Sequence, residues 1–201
     1  MNLRTSRAAV ALGLLFVFAA AATAQGAGGG AVGETDAPYP ESAYDFSVEG
    51  RSLDTIDELG ITAAPIDVDR ASWRLVVTGS AVRREAKLSY DELAAMPRVN
   101  RVSLLICPGF FEDVAEWGGV PVADLLALGG ASPSWKEIVV TSVDGYSSLF
   151  TRRDVETHVL FVALTVNGQR LPREHGFPAR LVAEGILGGE WVKWVASIEV
   201  R

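Results

Sequence analysis

The chain has 201 residues, 49% of them hydrophobic and 21% charged, with a formal net charge of -7 and a single cysteine. So acidic a chain has little to attract it to nucleic acid or to an anionic membrane surface. One cysteine excludes an internal disulfide, and a zinc site needs three or four clustered ligands.

Arg4 and Arg7 precede an apolar stretch, Ala8 to Ala22, and Ala22-Thr23-Ala24 fits the small-residue pattern of a signal-peptidase site. Residues 1–24 are therefore expected to be a signal peptide, with the mature chain starting at Gln25 and exported to the periplasm or the extracellular space. The apolar core is shorter than a membrane span and has no stop-transfer flank, so no stable membrane anchor is expected. The two arginines are not adjacent, which is the general secretory pattern and not the twin-arginine one. Residues 25–65 read as a linker and peripheral segment, with a Gly/Ala tract from Gly26 to Gly33.

Residues 66–201 read as one globular domain. Trp73, Leu75 and Val77 alternate with Arg74, Val76 and Thr78 in a half-buried strand. Ser89 and Glu92 form a capping box for a helix that Pro97 stops. Val99 to Cys107 reads as a strand, and Pro121 to Leu128 as a short helix with Gly129 just past its end. Ile138 to Ser142, Val159 to Val166, Ala179 to Ala183 and Trp191 to Val200 are rich in branched or aromatic residues and read as strands. Asn167-Gly168 signals a type I′ hairpin, whose central positions need positive φ. In the last strand Trp191, Lys193 and Val195 are expected on one face, with Val192, Trp194 and Ala196 on the other. The class is α+β, a single domain dominated by mixed sheet with short helices.

Cys107 stands where the apolar run Val102 to Ile106 breaks into Pro108-Gly109. The position suits one soft ligand presented into a cleft; it also suits a buried cysteine acting as a small hydrophobe. Downstream, the stretch from Val166 through His175-Gly-Phe-Pro-Ala-Arg180 to Val182, followed by Val192-Lys-Trp194, resembles the molybdopterin-binding domain of sulfite oxidases. Plant nitrate reductase and the periplasmic methionine-sulfoxide reductase catalytic subunit share that domain. Trp73-Arg-Leu, Leu88-Ser, Trp117-x-Gly-Val-Pro-Val and Asp144-Gly-Tyr146 follow the family in order, so the resemblance covers roughly Ile66 to Val200.

The resemblance implies the sulfite oxidase-type mixed-sheet fold, a molybdenum-molybdopterin cofactor, and two-electron oxygen-atom transfer at a molybdenum centre ligated by Cys107. It implies a catalytic role for Tyr146, beside a substrate oxygen. It implies cofactor contacts from His175, Arg180 and Lys193, with Arg180 and Lys193 suited to phosphate. The expected partners are a small-molecule substrate and a separate electron-transfer protein. The chain ends directly after its last strand, and a monomer is expected.

Three departures point to an alternative. Pro108-Gly109-Phe110-Phe111 follows the cysteine where the family has polar and cationic side chains. Gly60-Ile-Thr-Ala-Ala64 replaces a basic stretch, and Glu190 stands where the family has a phosphate-binding cation. The alternative is a non-catalytic exported member of the same fold. It would bind a small molecule, peptide or partner protein without molybdenum, with Phe110, Phe111 and Trp117 suited to an apolar cleft.

Overall fold

A computed structural model of the chain describes residues 40–201, and the expected signal peptide lies outside them. Among the described residues, ten strands make two sheets, joined by three short helices. The first sheet is built from β1 (Arg74–Thr78), β2 (Ala86–Ser89), β5 (Glu137–Ser142), β6 (Ser147–Thr151) and β10 (Val195–Val200), in the order β2-β1-β10-β5-β6. Only β1 and β10 run parallel, with Val76 opposite Ser197, so this sheet is mixed.

The second sheet is antiparallel throughout. It runs β3 (Val99–Cys107), β4 (Phe111–Pro121), β7 (Leu160–Val166) and β8 (Gln169–Arg170), and β9 (Arg180–Ala183) also pairs with β7. Leu75, Val77, Ile138, Val140 and Ile198 of the first sheet share one apolar core with Leu105, Trp117, Val162 and Leu164 of the second. Burying each such side chain contributes about 1.5–3 kcal/mol.

Helix α1 (Tyr90–Ala95) starts on the expected capping box, with Ser89 accepting from the Glu92 amide and Glu92 returning a bond to the Ser89 amide. Helix α2 spans Val122–Gly129, and Gly130, at φ 65°, is its left-handed C-cap. Gly129 is thus the last helical residue and not the one beyond it. Helix α3 (Arg152–Thr157) carries a second capping box, from Thr151 and Asp154. Asn167 (φ 48°) and Gly168 (φ 72°) make the expected hairpin turn between β7 and β8.

The last strand differs from its expected form. It begins at Val195, and Trp191 to Val195 are all buried instead of alternating. Trp194 takes φ 50°, which no strand accommodates, so the Val192-Lys-Trp194 stretch is a bend that turns every side chain inward. Residues 40–65 are held along β3 and β4. Tyr44, Phe46 and Val48 cover Leu104, Ile106 and Val114, while Leu59 joins the main core. Asp54 exchanges two bonds with Val114, at 2.8 and 2.7 Å.

Candidate active site around Cys107

Cys107 is the last residue of β3 and pairs with Phe111 of β4 across the Pro108-Gly109-Phe110 turn. Side chains two apart on a strand share a face, so Cys107, Asp113 and Trp117 project the same way from this ribbon. The thiol is half-buried. Burial pushes its pKa up, against the opposing pull of the Arg180 and Lys193 charges. Asp113 is 4% exposed, and its Oδ2 accepts from the Gly60 amide at 2.9 Å. Burial raises its pKa too, against that hydrogen bond.

Three basic residues meet on one side of the thiol. Arg180 opens β9 and is 3% exposed, with its guanidinium over the rings of Trp117 (5.2 Å) and Trp191 (5.7 Å). Among the described residues it forms no ion pair, and its Nε is buried without a hydrogen-bond partner, as is Trp117 Nε1 beside it. Its one polar contact is a 3.5 Å donation to the His175 carbonyl. Burial lowers the Arg180 pKa to about 10.

Lys193, in the inward bend, donates from Nζ to the carbonyls of Thr62 (2.7 Å) and Glu174 (2.9 Å). Burial and then Arg180 bring its pKa down to about 8. His175 is 3% exposed, and burial followed by the Arg180 and Lys193 charges holds it at about 4, so it is neutral near pH 7. Gly176, at φ 106°, lets these groups converge, because a Cβ there would stand 3.1 and 3.2 Å from the Cβ atoms of Lys193 and Arg180.

The other side of the thiol is built differently. Tyr146 leaves the β5–β6 turn and donates its hydroxyl to the Gly189 carbonyl at 2.6 Å. Burial, then Glu190, then the Cys107 charge raise its pKa, against a hydrogen bond with Ser148. Gly188 lies directly on the thiol: a Cβ there would be 2.5 Å from Cys107 Sγ. Glu190 closes the same 3-10 turn beside Ser148, and burial raises its pKa. Its carboxylate thus sits with Tyr146, and it is not among the charges acting on Arg180 or Lys193.

Cys107, His175, Arg180, Lys193 and Tyr146 therefore do converge. Phe110, Phe111 and Trp117 do not form one cleft: Phe110 is 82% exposed, Phe111 packs against Gly60 and the core, and Trp117 is 1% exposed. His158, given no site role by its sequence, bonds the Glu184 carbonyl at 3.1 Å. Asp113 and Ser148 escaped the sequence reading because β4 and β6 were not legible as strands. The alternation of Asp113, Ala115 and Trp117 was the one available signal.

The family model described as the oxidoreductase molybdopterin binding domain matches residues 61–201. The chain belongs to this family. It is 33% identical over 137 residues to YedZ1 of Azospira oryzae, named as a candidate protein-methionine-sulfoxide reductase subunit, covering 67% of this chain and 51% of that protein. It is 29% identical over 165 residues to human mitochondrial sulfite oxidase, covering 67% of this chain and 30% of that one. The sulfane dehydrogenase SoxCD from Paracoccus pantotrophus shares the fold, with a TM-score of 0.64 at 23% identity over 92% of this chain and 56% of its own. The chain thus spans about half, or less, of the length of these proteins.

The residues fit a molybdopterin group in donor set and charge. Among the described residues, no group of three His, Cys, Asp or Glu side chains could hold a metal ion alone, so a metal at Cys107 needs ligands from a cofactor. Buried donors without acceptors, on Arg180 and Trp117, are what an anionic, acceptor-rich molecule would satisfy. No helix among the described residues is long and apolar enough to cross a membrane.

Proposed function

We propose that this chain is an exported molybdenum-molybdopterin oxidoreductase. Cys107 is the protein ligand to the metal, and the reaction is two-electron oxygen-atom transfer on a small-molecule substrate. The observation that carries the reading is Arg180, a buried cation beside a thiol; among the described residues it has no ion pair, and its Nε is orphaned. A buried charge without a partner is costly, and an anionic ligand removes the cost.

When bound, molybdenum held by a pterin dithiolene supplies the two-electron chemistry, and the protein supplies binding and orientation. Arg180 and Lys193 hold the anionic part of the cofactor, and neutral His175 lines the pterin side as a hydrogen-bonding group. Together the two cations also favour the thiolate form of Cys107 that a metal requires. Tyr146 positions its hydroxyl towards the substrate. Electrons pass to or from a separate protein. The signal peptide of residues 1–24 is removed, and residues 66–201 act as a monomeric domain.

The test is metal analysis of protein made in a molybdopterin-competent host. Wild type should carry about one molybdenum per chain, and Cys107→Ser should lower that content sharply. Wild type free of metal and pterin under those conditions would favour the non-catalytic binding module instead. The observation on that side is that the Thr62 and Glu174 carbonyls already engage Lys193.

A further inference from the structure

Asp113 is a buried carboxylate that the proposed chemistry leaves unused. The Gly60 amide, at 2.9 Å from Oδ2, is the one described group that donates to it. A carboxylate has room for about four donors, so most of its capacity is unmet. The Gly60–Thr62 stretch shows what Asp113 borders. A Cβ on Gly60 would fall on the Phe111 ring, and Phe111 pairs with Cys107. Two residues on, the Thr62 carbonyl holds Lys193 Nζ at 2.7 Å. Two residues of extended chain reach at most about 7 Å, so Asp113, the Cys107 end of β3 and the Lys193 ammonium border one space. Asp113 also shares its strand face with Trp117, whose ring lies 5.2 Å from the Arg180 guanidinium. Trp117 Nε1 and Arg180 Nε are the buried donors without partners. An open acceptor and two open donors therefore line the same site.

We infer that Asp113 anchors the heterocycle of the cofactor by its amino-pyrimidinone edge, accepting the ring N–H and the neighbouring exocyclic N–H, while acceptor atoms of the same molecule answer Trp117 Nε1 and Arg180 Nε. The inference rests on the proposed function for the identity of the ligand and goes beyond it in naming what reads the ring. Two adjacent N–H donors match the two oxygens of a carboxylate, and hydrogen bonds to a charged acceptor are the stronger kind. A phosphate meets like charge at Asp113 and is turned towards Arg180 and Lys193. Asp113 thus sets which way round the molecule lies, with its N–H edge on β4 and its anionic end on the two cations.

The experiment is calorimetric titration of the full chain, free of cofactor, with 6-hydroxymethylpterin and with 6-hydroxymethyllumazine. The second probe carries an oxo group where the first has its exocyclic amine, so it presents an acceptor to Asp113 in place of a donor. Wild type should bind the pterin at least about tenfold more tightly, in line with one lost hydrogen bond to a charged group. Asp113→Asn keeps an acceptor for the Gly60 amide and offers an N–H in place of the open oxygen, so it should cut that preference below about threefold or reverse it. Equal affinity of the two probes for wild type would overturn the inference, and that comparison needs no variant to fold. So would an unchanged preference in Asp113→Asn, which would leave Asp113 as a support for Gly60 alone, or no binding of either probe. Molybdenum content reports separately on the proposed function. A chain that carries no metal yet prefers the pterin loses that function and keeps the anchor; one that carries metal without the preference does the opposite.

Discussion

Arg180 concentrates the physical tension of this protein in one side chain. Its guanidinium has left water and lies over two indole rings, and among the described residues no carboxylate pairs with it at contact distance, the buried Asp113 acting on it only from farther off. Aromatic faces compensate in part, at about 0.5–2 kcal/mol, against a desolvation penalty of several kcal/mol. The surplus is visible in its neighbours, since Arg180 also helps to hold Lys193 and His175 below their ordinary pKa values. Such a residue is poor for stability and good for binding an anion. Replacing it with an apolar side chain of similar length should therefore separate the two properties. Arg180→Met should stabilise the cofactor-free protein by about 1–3 kcal/mol, read as a higher melting temperature, while lowering its molybdenum content. A lower melt for the cofactor-free variant would mean that Arg180 has a structural partner and is not held ready for a ligand.

At the scale of elements, the β9–β10 connection decides the shape of the site. Glu184 anchors its start by taking two bonds from Arg101 and one from Ser103 on β3. Gly188 then presses on the thiol, Gly189 receives the Tyr146 hydroxyl, and the Trp191–Trp194 bend brings in Lys193. The two adjacent glycines should behave oppositely. A Cβ at Gly188 would meet Cys107 Sγ at 2.5 Å, Leu105 Cδ1 at 2.7 Å and the Ile106 carbonyl at 3.1 Å, whereas one at Gly189 meets nothing within 4 Å. Gly188→Ala should cost about 1–3 kcal/mol, and Gly189→Ala should be neutral or stabilising by up to about 1 kcal/mol. Equal melts for the two variants would show that the turn does not rest on the thiol. Little of this connection was legible in the sequence, because its conformation comes from tertiary contact and not from periodicity. Val192-Lys-Trp194 was read by its alternation as strand, and positive φ at Trp194 has no local signal. The capping box at Ser89, the Asn167-Gly168 turn and the inward set Trp73, Leu75 and Val77 were legible, because each is fixed by its own few residues. The convergence of Cys107, His175, Arg180 and Lys193 was legible only through motif order; spacing along the chain does not bring residues 107 and 193 together.

Across the whole molecule, the site draws on both sheets at once. Cys107 and Asp113 come from the β3–β4 edge and Arg180 from β9, all in the antiparallel sheet. Tyr146 and Ser148 come from the β5–β6 hairpin, and Lys193 leads into β10, in the mixed sheet. A ligand gripped by Cys107, Arg180 and Lys193 together therefore ties the second sheet to the approach of the first. Binding only to the folded state adds stability as RT ln(1 + [L]/Kd), about 4 kcal/mol at a thousandfold excess over Kd. That stability should be spread over both sheets, since neither holds the ligand alone. Hydrogen exchange of cofactor-loaded against cofactor-free protein reads this directly. Slowed exchange is expected at the end of β3, in β9, and across residues 188–194 into β10, with the same pattern lost in Cys107→Ser. Protection confined to β3 and β9 would mean that Lys193 stays with the Thr62 and Glu174 carbonyls and takes no part. The cofactor grip would then reduce to Cys107 and Arg180, on one sheet.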